Sequence, residues 1–212
     1  MTTARREAAE SLADVLLARR YADPYVLALP RGGVPIAALI ARSLDCPLDL
    51  WLARDVPVPF HRECVLGGIA EGGTVIFDET EREPLDEVMV REAVRREQEI
   101  LRQEVSRFRA GLGAPDVRGC TAIVVDEAIE SPWRVIAAAR DLLQRGARAV
   151  VIATPILTAP AAVALRHDAA DIACITMALE IAQLRDWRRA LPVVTDAEIS
   201  ITTEYASFSI AV

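Results

Sequence analysis

The 212-residue sequence predicts an α/β fold in which a mostly parallel central sheet is covered by helices on both faces. Three observations carry that reading. Short apolar runs of strand length alternate with segments of helical spacing along most of the chain. Two strand-to-helix junctions are marked, one by Pro30-Arg31-Gly32-Gly33 and one by Asp126-Glu127. No internal repeat or low-complexity linker interrupts the pattern, so residues 1–212 read as one domain.

From the N-terminus, Ala8, Leu12, Val15 and Leu16 share one face, with Arg5, Arg6, Glu10 and Asp14 elsewhere. This predicts an amphipathic helix over about Ala4 to Arg20, which Thr3 can cap. Tyr25 to Leu29 is a strand, Pro30 to Gly33 a glycine turn, and helical spacing resumes at Ile36, Leu39 and Ile40. That is the first half of a βαβ unit. Leu48 to Leu52 reads as a second strand. Arg54 to Glu63 holds Pro57 and Pro59 without periodicity and reads as a loop. Leu66 to Ala70 and Thr74 to Phe77 flank Glu71-Gly72-Gly73 in a hairpin. Leu85 to Arg109 is a long charged helix with an apolar stripe of Val90, Val94, Leu101, Val105 and Phe108. The second half opens with strand Ala122 to Asp126 and helix Pro132 to Gln144, ended by Gly146. Strand Ala149 to Ala153, a helix near Pro160 to Leu165 and strand Ile172 to Ile175 follow. The C-terminal region carries Trp187 and Thr195-Asp196-Ala197-Glu198.

Composition narrows the function classes. With 52% hydrophobic and 26% charged residues the chain has the balance of an ordinary soluble globule. A net charge of -7 argues against a nucleic-acid partner bound by bulk electrostatics. Every basic residue other than histidine is arginine, which removes a P-loop lysine and any Schiff-base mechanism. Cys46, Cys64, Cys120 and Cys174 lie far apart with no CxxC pair, so neither a zinc site nor a disulfide framework is expected, and the compartment reads as reducing cytoplasm. The N-terminal residues do not read as a signal peptide. The uncharged stretch from Ala149 to Leu165 is broken by Pro155 and Pro160, which favours a strand and a helix start over a membrane span. GxGxxG and GxxxxGK[ST] are both missing, which weakens the case for another nucleotide-using α/β enzyme.

In open α/β sheets ligands bind where strands end and helices begin. Pro30-Arg31-Gly32-Gly33 puts two side-chain-free amides and a guanidinium at a helix N-terminus, which suits an anion; the same glycines would also serve a plain tight turn. Asp126-Glu127 at a strand's carboxyl end suits ribose hydroxyls or a magnesium ion, and equally a solvated turn.

Together with the order of elements, these turns resemble the type I phosphoribosyltransferases. The resemblance is closest to a small bacterial branch with segments like VLALPRGGVPVA, VRKxGAPGNPE, GAVAEGG and VDDGIATGATM and a late TDEE. Here Val26 to Ala37 reads VLALPRGGVPIA, and Leu66 to Gly73 reads LGGIAEGG. Phe108-Arg109, Pro115-Asp116 and Gly119 match the approach to the third motif, and Thr195-Asp196 with Glu198 matches the tail. The resemblance implies the type I phosphoribosyltransferase (Rossmann-like) fold, a homodimer to which the long helix could contribute, and a small phosphorylated or anionic ligand. It implies that Arg31, Gly32 and Gly33 form a pyrophosphate loop and that Arg54 is the arginine of the second motif. Asp126 and Glu127 become the acidic pair for the ribose of phosphoribosyl pyrophosphate, with Mg2+ if the chain is active. Ser131 and Arg134 belong to its 5'-phosphate loop, and no residue is assigned a catalytic role.

Two of the three ligand loops depart from the pattern. GIATGAT becomes Ala128-Ile129-Glu130-Ser131-Pro132-Trp133-Arg134. Pro132 has no N–H to offer a phosphate, Trp133 adds an indole, and Glu130 adds a charge. At ~4 Å and an effective dielectric near 20, each such like-charge pair costs roughly 4 kcal/mol. Arg134 offsets this only if it folds back over the loop. Without the family, Ser131 as N-cap, Pro132 at the first helical position and Glu130 at the dipole's positive end are simply a good helix start. In the second motif Asp55 replaces a lysine, while Pro57 and Phe60 replace glycines; His61 reads as a solvated loop residue rather than a general base. These departures imply a phosphoribosyltransferase-like protein without efficient transfer, a pseudoenzyme that binds another ligand or a partner. The alternative is an active Mg-dependent phosphoribosyltransferase acting on an unidentified base.

Overall fold

The computed structural model describes residues 2–200, apart from the side chain of Arg62. In chain order the elements are α1 (Thr3–Arg19), β1 (Pro24–Ala28), α2 (Gly33–Leu44), β2 (Leu48–Leu50), β3 (Ala53–Val58), β4 (His61–Ala70), β5 (Val75–Phe77) and α3 (Glu79–Arg82). Next come α4 (Glu87–Arg109), β6 (Thr121–Val125), α5 (Trp133–Gln144), β7 (Ala149–Thr158), α6 (Ala159–Leu165), β8 (Asp171–Ala178) and α7 (Ile181–Arg189). The main sheet is parallel throughout, in the order β2-β1-β6-β7-β8.

Its central strands β1, β6 and β7 are buried on both faces, and alternation assigns their residues to one core or the other. Val26 and Ala28 of β1 pack with Ile123 and Val125 of β6 and with α1 and α2. Leu27, Ala122 and Val124 point to the opposite face and pack with α5 and α6. Helices on both faces are therefore observed, as the sequence predicts.

A second, antiparallel sheet, β3-β4-β5, carries the second motif. Arg54 to Glu63 is consequently no loop. It is the β3–β4 hairpin, with Phe60 at φ 66 in the turn and register shifts around Pro57. β3 is an edge strand, and a bulged edge is where a sheet tolerates proline. The hairpin expected around Glu71-Gly72-Gly73 is present as β4–β5. Pro155 does not end β7 either. β6 stops pairing at Ala153, so Pro155 lies where the strand has β8 on only one side.

The small sheet is fixed to α5. A Cβ at Gly68 would lie 2.2 Å from the carbonyl oxygen of Trp133, so glycine is what lets β4 cross the helix start. Asp141 of α5 accepts the Gly72 N–H at 2.8 Å and the Thr74 hydroxyl at 3.2 Å, and its burial pushes its carboxyl pKa up. At the N-terminus, Thr2 rather than Thr3 caps α1. Arg5, which reads from the sequence as part of the wet face, is 2% exposed. No described helix is long and apolar enough to cross a membrane.

Candidate functional site

The strand order reverses between β1 and β6, and at such a switch point an open α/β sheet has its crevice. The glycine turn after β1 and the acidic turn after β6 meet there. A Cβ on Gly32 would lie 2.2 Å from a Glu127 carboxylate oxygen, and one on Gly33 would lie 2.5 Å from the Val125 carbonyl oxygen. Packing between the two turns therefore accounts for both glycines without any ligand. The Pro30–Arg31 peptide is cis.

Beside these turns opens a polar cleft of about 380 Å³, lined by Arg31, Arg54, Asp55, Glu104, Phe108 and Arg134 among others. Of the residues singled out in the sequence, Arg31, Arg54 and Arg134 line it. Gly32, Gly33, Asp126, Glu127 and Ser131 do not line it, and neither does the exposed His61 on the small sheet.

Every charged group at this place has an internal partner. The Asp55 carboxylate accepts the Arg134 backbone N–H at 3.2 Å and the Ser131 hydroxyl at 3.2 Å. It thus occupies the first turn of α5, where unsatisfied N–H groups and the helix dipole favour an anion. Burial pushes the Asp55 carboxyl pKa up, partly opposed by the Arg134 guanidinium. Arg134 folds back over the loop, and its Nη2 lies 2.6 Å from Asp126. Asp126 holds the guanidinium pKa above its ordinary value. The second Asp126 oxygen accepts the Glu127 N–H at 2.8 Å. Glu127 is held by Arg5 at 2.5 and 2.8 Å. Arg54 is gripped by Glu97 at 2.9 Å and Glu104 at 2.9 Å, both from α4. Arg31 pairs with Asp196, which also pairs with Arg107.

Three expectations about the loop need correction. Ser131 does not hold the N-cap position of α5, which falls to Pro132, although its hydroxyl accepts the Trp133 N–H at 3.5 Å; Asp55 adds an acceptor from another element for the Arg134 N–H. Pro132 therefore precedes the first helical residue. Glu130 does not point at an anion seat, because Arg185 and Arg188 of α7 hold it at 3.5 and 3.4 Å. The unfavourable charge at the helix start is Asp55 instead.

Sequence reasoning missed Arg5, Glu97, Glu104, Arg107 and the helix α7. Arg5 carried a signal, being in register with Ala8, Ala9, Leu12 and Leu16 on the buried face; a guanidinium there requires a buried acceptor. Glu97 and Glu104 are seven residues apart on one face of α4. From α7, Trp187 donates to the Glu127 carbonyl at 3.2 Å and Arg188 to the Ala128 carbonyl at 2.8 Å, which covers the rewritten loop.

The acidic pair does not, as arranged, suit a magnesium ion. Asp126 has both oxygens engaged and Glu127 carries a guanidinium, whereas Mg2+ needs free oxygen ligands in octahedral array. Among the described residues no cluster of three or more His, Cys, Asp or Glu side chains could hold a metal ion.

Two Mycobacterium tuberculosis proteins, each named "Putative phosphoribosyl transferase", are 39% identical over 133 residues, 62% of this chain. The match covers 30% of each relative, so the chain spans less than a third of their length in the aligned region. The crystal structure of TT1426 from Thermus thermophilus superposes with a TM-score of 0.79 at 28% identity, covering 94% of this chain and 95% of that one. The chain is thus similar over 62% of its length to proteins named as phosphoribosyl transferases, and over nearly its whole length it shares the fold of TT1426. No family model matches it. In this chain, then, the glycine turn after β1 and the acidic turn after β6 meet at the switch point, while an internal carboxylate sits at the start of α5.

Proposed function

We propose that this protein is a phosphoribosyltransferase-like pseudoenzyme: its cleft binds a small anionic ligand, and it does not carry out phosphoribosyl transfer efficiently. One observation supports this above the others. The Asp55 carboxylate takes the Arg134 N–H and the Ser131 hydroxyl at the first turn of α5. A phosphate dianion brought to the same turn would meet that carboxylate and would lack the N–H that Pro132 cannot supply. Opposition between charges ~4 Å apart is worth roughly 4 kcal/mol at an effective dielectric near 20. Arg134 offsets it only in part, since its guanidinium lies 2.6 Å from Asp126 and 3.9 Å from Asp55.

A second reading, an active Mg-dependent phosphoribosyltransferase on an unidentified base, is supported by the presence of the Arg31-Gly32-Gly33 turn and the Asp126-Glu127 pair at the switch point. In that reading Asp126 and Glu127 would hold the ribose hydroxyls or Mg2+, after Arg134 and Arg5 had moved away.

Thermal melting separates the two. Ligand at a hundred times its dissociation constant stabilises by ~2.7 kcal/mol, which for a chain of this size is roughly 5–10 °C. The full chain is expected to show no shift with millimolar phosphoribosyl pyrophosphate and Mg2+. A magnesium-dependent rise of that size overturns the pseudoenzyme reading and supports the second.

A further inference from the structure

The Thr195-Asp196-Ala197-Glu198 stretch is left unexplained by the cleft alone. It lies on a strap that follows α7 and is anchored in several ways. The Pro192 carbonyl accepts the Arg5 guanidinium at 3.0 Å, tying the strap to the same arginine that holds Glu127. Val194 and Ile199 are buried with Leu12 and Ile40 in the core under α1 and α2. Thr195 and Glu198 form a capping box: Glu198 accepts the Thr195 N–H at 2.8 Å and its hydroxyl at 2.9 Å, and returns its own N–H to the Thr195 oxygen at 3.3 Å. The chain is helical over 196–200, which fixes Asp196 in the first turn. None of these anchors uses the Asp196 carboxylate.

That carboxylate is aimed elsewhere. Arg31, from the turn after β1, and Arg107, from the last turns of α4, both pair with it. Their side chains are 43% and 62% exposed, against 22% for Asp196. Two guanidiniums thus converge on a single carboxylate from separate elements, the turn after β1 and α4. Guanidinium forks match the oxygens of a phosphoryl group, and a dianion balances both where a carboxylate balances one.

We propose that Arg31 and Arg107 are the two arms of an oxyanion seat, that Asp196 fills it from within the chain, and that its free ligand is a phosphoryl or diphosphoryl group. The inference rests on reading the cleft as anion-binding, and it adds Arg107 as a binding residue and Asp196 as a latch. An intramolecular carboxylate competes at an effective concentration on the order of millimolar, so the latch keeps weak or dilute anions out. Only a ligand of higher charge displaces it.

The test is calorimetric titration of the full chain with inorganic pyrophosphate, without magnesium, comparing the wild type, Asp196→Asn, and Asp196→Asn combined with Arg107→Gln. Asparagine keeps the shape of the side chain and removes its charge. Asp196→Asn is expected to bind pyrophosphate at least tenfold tighter than the wild type, and the added Arg107→Gln to take that gain away. Equal affinity in wild type and Asp196→Asn overturns the latch. A gain that survives Arg107→Gln overturns the two-armed seat. If Asp196→Asn does not melt cooperatively, Asp196→Ala takes its place with the same outcomes. A wild-type melting shift with phosphoribosyl pyrophosphate and Mg2+ sinks the pseudoenzyme reading instead, so the two failures are distinct.

Discussion

Asp55 and Asp196 each answer an arginine of the same cleft, yet they are held in different ways. Asp55 belongs to β3, paired to β4 and packed on α5, and its acceptor oxygen is spent on a backbone N–H and a hydroxyl. Moving it means unpacking a hairpin. Asp196 sits on a strap, and its partners are two long, largely exposed guanidiniums. Moving it means rotating side chains. The comparison teaches that one anion seat has been closed by the fold and the other by a contact. The first carboxylate is held by a backbone N–H and a hydroxyl, whereas the second is held by guanidiniums.

The largest expected effect comes from removing what the buried side depends on. Arg134→Ala leaves Asp126, 4% exposed, without its cation and weakens the setting of Asp55. Breaking a buried pair by deleting one partner costs ~3–5 kcal/mol, and partial exposure of Arg134 places this case near the lower end. At roughly 2–4 °C per kcal/mol the melting midpoint should fall by about 6–12 °C. A drop under about 2 °C would mean that the Asp126–Arg134 pair is no more than a surface contact.

A smaller effect of opposite sign is expected for Asp55→Asn. The amide oxygen still accepts the Ser131 hydroxyl and the Arg134 N–H, while the desolvated charge is gone. Burial raises the Asp55 pKa in the folded chain, so the folded state binds this proton more tightly than the unfolded one. The wild type therefore gains stability as pH falls through the folded-state pKa toward the ordinary value near 4 and loses it as pH rises. Asp55→Asn should melt above the wild type at pH 7, with the gap closing in the acid range. Paired melting curves from pH 7 to pH 4 check this; a variant that melts below the wild type at pH 7 would show that the ion pair outweighs desolvation.

Much of this cleft can be read from the linear sequence, because the switch point needs only local signals. The apolar run before Pro30, the two glycines after Arg31, and the run before Asp126 are each contiguous, and each lands where expected. What escaped is coupling across distance. Asp55 and Ser131-Pro132-Trp133-Arg134 look like separate losses in two motifs, and only the packing of the small sheet on α5 shows them as one substitution. The hairpin that performs this coupling was hidden by Pro57 and Pro59, which read as loop residues unless the strand is known to be an edge. Glu130 misled for the same reason, since its partners Arg185 and Arg188 lie on a helix that the sequence pattern did not reveal.

The smallest expected effect on stability is the one that most sharpens the comparison. Asp196→Asn removes a carboxylate from two guanidiniums that keep solvent contact, and exposed ion pairs contribute roughly 0–1 kcal/mol. The strap keeps its other anchors: the Pro192 carbonyl on Arg5, the capping box, and the buried Val194 and Ile199. The melting midpoint should therefore change by no more than about 4 °C, and the change should shrink in high salt as screening weakens the pair further. A latch must be cheap to open, or no ligand of ordinary affinity could displace it. A salt-insensitive loss as large as that of Arg134→Ala would place Asp196 with Asp55, as a second closure built into the fold, and the contrast between the two ends of the cleft would disappear.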